Sequence, residues 1–157
     1  MDMTIGVSIL IPLYNGIEFL SECLNSIKNQ TYEKWEIIIG INGHKKGSME
    51  YVMSKIYENE KIKVIEYLNT NGKAQTLNEM MKSTKYELIC LLDVDDMWTK
   101  NKLEKQIDIY KKYNYDVIGT QCQYIGVKHD SPFIPMGLIN PLFPMFSNPI
   151  INSSIMI

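Results

Sequence analysis

The chain has 157 residues, a formal net charge of −2, 45% hydrophobic and 22% charged residues. That balance suits one domain with a single substantial core and excludes disordered, fibrous and collagen-like classes. All sixteen cations are lysine and none is arginine; without a basic stripe nucleic acid is an unsuitable main partner, and no guanidinium clamp on phosphate is available.

Residues 5–11 (IGVSILI) are apolar and β-branched and read as a buried strand, ended by Pro12, which has no amide hydrogen to donate. Asn15 and Gly16 open a helix with Ile17, Leu20, Leu24 and Ile27 at helical spacing. A second strand covers 36–41, a turn-rich loop 42–47. Ser48 caps a helix whose core stripe is Met49, Val52, Met53 and Ile56. A third strand covers 62–67, then a short helix turns Leu77, Met80 and Met81 inward. The fourth strand, 88–92, runs into Asp93, Asp95 and Asp96. Thr99 starts a lysine-rich helix that buries Leu103, Ile107 and Tyr110, and 115–120 reads as a fifth strand. Beyond Gly126 prolines punctuate the chain, which closes on the apolar, strand-like NPIINSSIMI.

Cys23, Cys90 and Cys122 stand far apart without metal-ligand spacing, as buried thiols of a reducing, cytoplasmic compartment do. The opening MDMTIG is no signal peptide, and no uninterrupted apolar run approaches the roughly twenty residues that span a bilayer.

Strands alternating with helices imply an α/β, doubly wound, mainly parallel sheet with right-handed crossovers. In the order three, two, one, four, the ligand crevice falls between the first and fourth strands, beyond their carboxyl ends. The acid cluster lies there. Three crowded carboxylates need a cation or strong donors. In an extended chain Asp93 and Asp95 point the same way and grip a hard divalent ion, Mg²⁺ or Mn²⁺. The alternative is a surface turn in which Asp96 caps the next helix.

VSILIPLYN at 7–15, the following LxxCLNSIKNQTYEKWEIII, NGKAQTLN at 71–78, LLDVDDMW at 91–98, KNKLEKQIDIYKK and the closing PIINSSIMI occur in order along nearly the whole chain. Together they resemble family 2 glycosyltransferases with the Rossmann-like GT-A fold, LLDVDDMW corresponding to the family's DxD metal motif. The resemblance implies an inverting, metal-dependent transfer of sugar from a nucleotide-diphosphate sugar, a UDP-sugar by preference, to an acceptor hydroxyl on a glycan or lipid-linked molecule. It implies that Pro12 and Tyr14 border the base, Tyr14 stacking on it, with a plain packing aromatic as the alternative. Asn42 falls where the family usually has an aspartate that bonds uracil, which puts base choice in question; restoring aspartate would then favour UDP over GDP. Asp93 and Asp95 would lie against ribose and diphosphate, Asp95 being the main ligand to Mn²⁺ or Mg²⁺. Lys73 would contact phosphate or simply be solvated.

Other departures are Leu77 in place of a common basic residue and Lys100 in place of a proline. The family's catalytic base belongs to a Glu-Asp block downstream of Ile157, and from Gly126 onward Asp130 is the only acid. The resemblance therefore implies a donor-binding domain over 1–157 whose acceptor-binding part is missing, with weak transfer and self-association through an open sheet edge. The competing functions are a non-catalytic nucleotide-sugar-binding module and a phosphotransferase with an aspartate nucleophile. The latter expects its acids on the first strand.

Overall fold

The computed structural model describes residues 5–42, 48–56, 59–126, 131–140, 142, 144 and 148–157. Four strands form one parallel sheet: β1 (Val7–Leu13), β2 (Trp35–Asn42), β3 (Ile62–Tyr67) and β4 (Leu88–Leu91), in the order β3-β2-β1-β4. Four α-helices accompany them: α1 (Leu20–Lys28), α2 (Ser48–Ile56), α3 (Gly72–Met81) and α4 (Lys102–Tyr113). This is the GT-A fold expected from the sequence.

Side chains alternate across a strand, and both faces of this sheet are covered. Val7, Ile9, Ile11 and Leu13 of β1, with Ile37, Ile39 and Ile41 of β2, meet the buried stripes of α1, α2 and α4. Leu10 and Ile38 point the other way, onto Met80 of α3. Gly40 follows from that packing. A Cβ there would sit 2.4 Å from Met80 Sδ, so α3 can lie this close only over a bare backbone. In α2, Val52 and Ile56 are buried as expected, whereas Met53 faces outward.

Several boundaries differ from the sequence reading. β1 continues through Pro12, which stands opposite Gly40 of β2. Leu10 O accepts from Leu92 N on the β4 side (3.0 Å), and Pro12, two residues on, faces that same side. β4 has ended by then, so the missing amide hydrogen costs no ladder bond. α4 begins at Lys102, not Thr99, with Asn101 at the N-cap position, so Asp96 caps no helix. The fifth strand does not form. Among the described residues of 115–120 only Ile118 pairs, antiparallel with Met156, and Ile150 packs closely over Gly119.

The closing run is not one strand either. Asn152–Ser154 is a 3₁₀ turn, after which Ile157 exchanges both backbone hydrogen bonds with Ile89 (2.7 and 2.9 Å). The outer edge of β4 is therefore paired at Ile89. The expected loop at 43–47 and Asp130 lie outside the described residues. Among the described residues no helix is long and apolar enough to cross a membrane.

Lys102 stands apart at the start of α4. Its ammonium is buried 3.7 Å from the centroid of Trp98 and has no oxygen acceptor among the described residues. Burial lowers its pKa, an effect the Cys90 thiol beside it only partly opposes.

Candidate functional site

Strand order reverses between β1 and β4, and there the two chains separate. After the Leu92–Leu10 bond β1 runs on to Leu13, while the other chain turns away at Asp93. A cavity of about 420 Å³ opens between them. Pro12, Tyr14, Asn42, Lys73, Asp93 and Asp95, the six residues singled out in the sequence, all line it. Tyr14 is 65% exposed, a ring at the rim with one face available rather than a core filler.

The acid segment is a turn, not the extended chain assumed from spacing. Asp96 N–H donates to Asp93 O (3.0 Å), which buries Val94 and leaves Asp95 and Asp96 exposed. Asp93 and Asp95 reach the same cavity by flanking the buried Val94 rather than by strand alternation. Their field extends inward. The Cys23 thiol beneath the turn has its pKa pushed up to about 12, chiefly by burial and further by the carboxylates of Asp96, Asp95 and Asp93.

Two elements grip this turn and its continuation. On one side Ser26 Oγ of α1 accepts from Trp98 N–H (3.1 Å), while Gln30 donates to Thr99 O (2.8 Å) and accepts from Leu103 N–H (3.1 Å). On the other, Ser153 Oγ accepts from Asp93 N–H (3.0 Å) and Ser153 O accepts from the Trp98 indole (2.7 Å). Asn152 Nδ2 donates to both oxygens of Asp93, at 3.2 and 3.3 Å. Lys73, from the first turn of α3, forms an ion pair with Asp93 Oδ1.

The facing wall is built on the start of α3. Gly72, its first residue, has φ +81°, a conformation open to glycine at little cost. Asn42, at the end of β2 and 7% exposed, donates through Nδ2 to Thr76 Oγ1 (2.5 Å) and to Gly72 O (3.3 Å). Thr76 in turn donates to Gly72 O (3.0 Å). Both amide protons of Asn42 are thus committed to α3, and the atom it has to offer a base is its carbonyl oxygen, an acceptor.

In chemical terms the crevice holds two carboxylates, one half-exposed ammonium and the amino end of a helix, whose dipole favours anions. Among the described residues no group of three or more His, Cys, Asp or Glu converges. A divalent ion here would take at most two protein carboxylates, its other ligands coming from water and substrate phosphate, which fits Mg²⁺ or Mn²⁺. A larger hollow of about 640 Å³ lies at the amino ends of the strands beside Trp35 and Tyr86. Its Lys61 and Lys85 lie over the Trp35 and Tyr86 rings, and parallel sheets of this type bind ligands at the opposite end.

Sequence reasoning missed Ser26, Gln30, Thr76, Asn152 and Ser153. The only available signal was that polar NSS interrupts an otherwise apolar closing run.

An open α/β sheet of this order places its ligand crevice at the switch point, where these acids stand. The profile of Glycosyl transferase family 2 matches residues 8–150, and the chain belongs to that family. It is 32% identical over 108 residues to the Escherichia coli UDP-Glc:alpha-D-GlcNAc-diphosphoundecaprenol beta-1,3-glucosyltransferase WfgD, a match covering 69% of this chain and 42% of WfgD. The structure of S. aureus TarS 1-349 in complex with UDP-GlcNAc superposes with a TM-score of 0.68 at 21% identity, over 88% of this chain and 38% of TarS. Mannosyltransferase PcManGT from Pyrobaculum calidifontis, in complex with GDP-Man and Mn²⁺, gives 0.65 at 20% identity, over 72% of this chain and 34% of PcManGT. The chain spans between 17 and 42% of the length of the curated relatives it matches.

Proposed function

We propose that residues 1–157 form the donor-binding portion of a metal-dependent, inverting glycosyltransferase that takes a nucleoside diphosphate sugar, preferably a UDP-sugar. The observation that carries this reading is the convergence of Asp93, Asp95, Lys73 and the amino end of α3 on one crevice at the switch point of the sheet. The ligands of the TarS and PcManGT complexes, UDP-GlcNAc and GDP-Man with Mn²⁺, support it.

In this proposal Tyr14 stacks on the base at the rim and Pro12 forms the floor beside it. The Asn42 carbonyl accepts from the uracil ring nitrogen. Lys73 leaves Asp93 for the diphosphate, which meets the first turn of α3. Asp93 and Asp95 hold Mn²⁺ or Mg²⁺, with Asp95 the main ligand. Once bound, the ion neutralises charge on the departing diphosphate. Proton removal from the acceptor needs another group, because the only carboxylates that line the cavity among the described residues are Asp93 and Asp95. The same fact favours, as a second reading, a module that binds the donor without transferring it. Three free cysteines suit work in the reducing cytoplasm, where donor sugars would be met.

Calorimetry with UDP tests the core of the proposal. Binding is expected with Mn²⁺ and lost with EDTA, and Asp95→Asn removes most of the metal-dependent part. Equal affinity with and without metal sinks the metal role. Measured transfer to an acceptor by the isolated chain sinks the module reading and calls for a base, Asp130 being the first to mutate.

A further inference from the structure

We propose that Asn152 is a positioning residue for donor binding, acting through Asp93. This rests on the donor-binding reading above and adds to it a residue from the far end of the chain.

The geometry points to a division of labour around one carboxylate. Asp93 receives two kinds of partner. Lys73 brings a full positive charge to Oδ1 on a side chain that is 47% exposed. Such a contact is exchangeable, since an exposed ion pair gains little over hydration. Asn152 brings a neutral N–H, placed almost evenly between Oδ1 and Oδ2 at 3.2 and 3.3 Å. A neutral donor fixes the plane of a carboxylate without cancelling its charge. A lysine at the same place would quench the negative potential that the crevice offers a cation.

The amide is itself held firmly. Asn152 opens the 3₁₀ turn Asn152–Ser154, whose next residue, Ser153, accepts from the Asp93 amide and from the Trp98 indole. Ser154 closes the turn on Ile151 O (2.7 Å), and its carbonyl accepts from Gln106 of α4 (2.9 Å). Two residues beyond, Met156 pairs with Ile118 through two backbone bonds of 2.9 Å each. One short segment therefore fixes both the backbone and the carboxylate of Asp93. When Lys73 moves to phosphate, Asn152 is the contact that stays, and Asp93 keeps its orientation. Groups that orient a ligating carboxylate from outside the ligand shell typically alter affinity 10- to 100-fold.

The test compares wild type, Asn152→Ala and Ser154→Ala with three measurements: UDP affinity in Mn²⁺ by calorimetry, uracil binding by saturation-transfer NMR, and thermal midpoint. Ser154→Ala loosens the turn without touching Asp93 and is the control for a merely structural effect. Asn152→Ala should weaken UDP binding about tenfold or more while leaving uracil, which has neither ribose nor phosphate, unchanged. Ser154→Ala should lower the midpoint and leave UDP affinity within about twofold. The inference is overturned if Asn152→Ala leaves UDP affinity unchanged, or if uracil falls by the same factor, since either means that the amide does not act through Asp93. Failure of the wild type to bind UDP at all would instead overturn the donor-binding reading, and the inference with it.

Discussion

Asn42→Asp exchanges one nitrogen for oxygen at almost constant shape, and the structure gives it a definite cost. Nδ2 of Asn42 donates to Thr76 Oγ1 and Gly72 O in a site only 7% exposed. A carboxylate oxygen in its place faces the Gly72 carbonyl, acceptor against acceptor. The Thr76 hydroxyl can turn to meet the new charge, but only by giving up its own bond to Gly72 O. Two hydrogen bonds are lost at about 1 kcal/mol each, and an undersolvated carboxylate adds a similar amount, so roughly 2–4 kcal/mol is expected at neutral pH. For a domain of this size that lowers the thermal midpoint by about 5–15 °C.

The pH dependence fixes the sign. Burial without donors raises the introduced carboxyl's folded-state pKa above the ordinary value of about 3.9. Its penalty is therefore fully present above that raised pKa and fades as pH falls through it. Thermal melts of wild type and variant at pH 8 and pH 5 should show the gap narrowing in acid. A variant as stable as wild type at pH 8, or a gap that widens in acid, would refute this placement of the amide. The hydrogen bonds of Asn42 lead to an expectation for base choice opposite to that from the resemblance. Asn42 already presents an acceptor, so Asn42→Asp should not improve the preference for UDP over GDP.

Three further outcomes follow from packing and charge. Gly40→Ala drives a methyl group into Met80 Sδ and should cost about 1–3 kcal/mol by chemical denaturation, with part recovered in the Gly40→Ala, Met80→Ala double variant. Lys73→Ala should change stability by less than about 1 kcal/mol, because its ion pair is half exposed, yet weaken UDP binding measurably in the same calorimetric assay. Lys102→Met removes a buried ammonium whose pKa is lowered by burial, and should stabilise the protein by about 1 kcal/mol or more at pH 7. Wild-type stability rises with pH as this lysine deprotonates, so the gain should vanish near the unfolded value of about 10.5; a less stable variant at pH 7 would contradict the placement of Lys102.

Much of this architecture was legible in the sequence because a doubly covered parallel sheet leaves a strong local signal. The strands read at 5–11, 36–41, 62–67 and 88–92 lie within two residues of the observed β1–β4 bounds. The crevice followed from strand order, and the six residues placed there do line it. What failed depended on contacts remote in sequence. Residues 115–120 have strand composition, but the only pairing they make among the described residues is the single bridge from Ile118 to Met156, far along the chain. Pro12 stays in its strand only because β4 has already ended beside it. Asp93 and Asp95 share a cavity through a turn that spacing alone did not reveal, and nothing local to Asn152 announces its bond to Asp93.

The anchoring of the acid turn by Asn152 and Ser153 has a consequence for how the site comes into being on the ribosome. The two partners are 59 residues apart. At a synthesis rate of about 5–20 residues per second, Asp93 emerges roughly 3–12 s before the residues that hold it. Through that interval β1, β2 and β3 can already assemble while the acid turn has only its α1 contacts. A nascent chain stalled before residue 152 should therefore show a protected sheet and an unprotected Asp93 amide, whose acceptor is Ser153 Oγ, so the crevice beside Asp93 becomes rigid after the sheet.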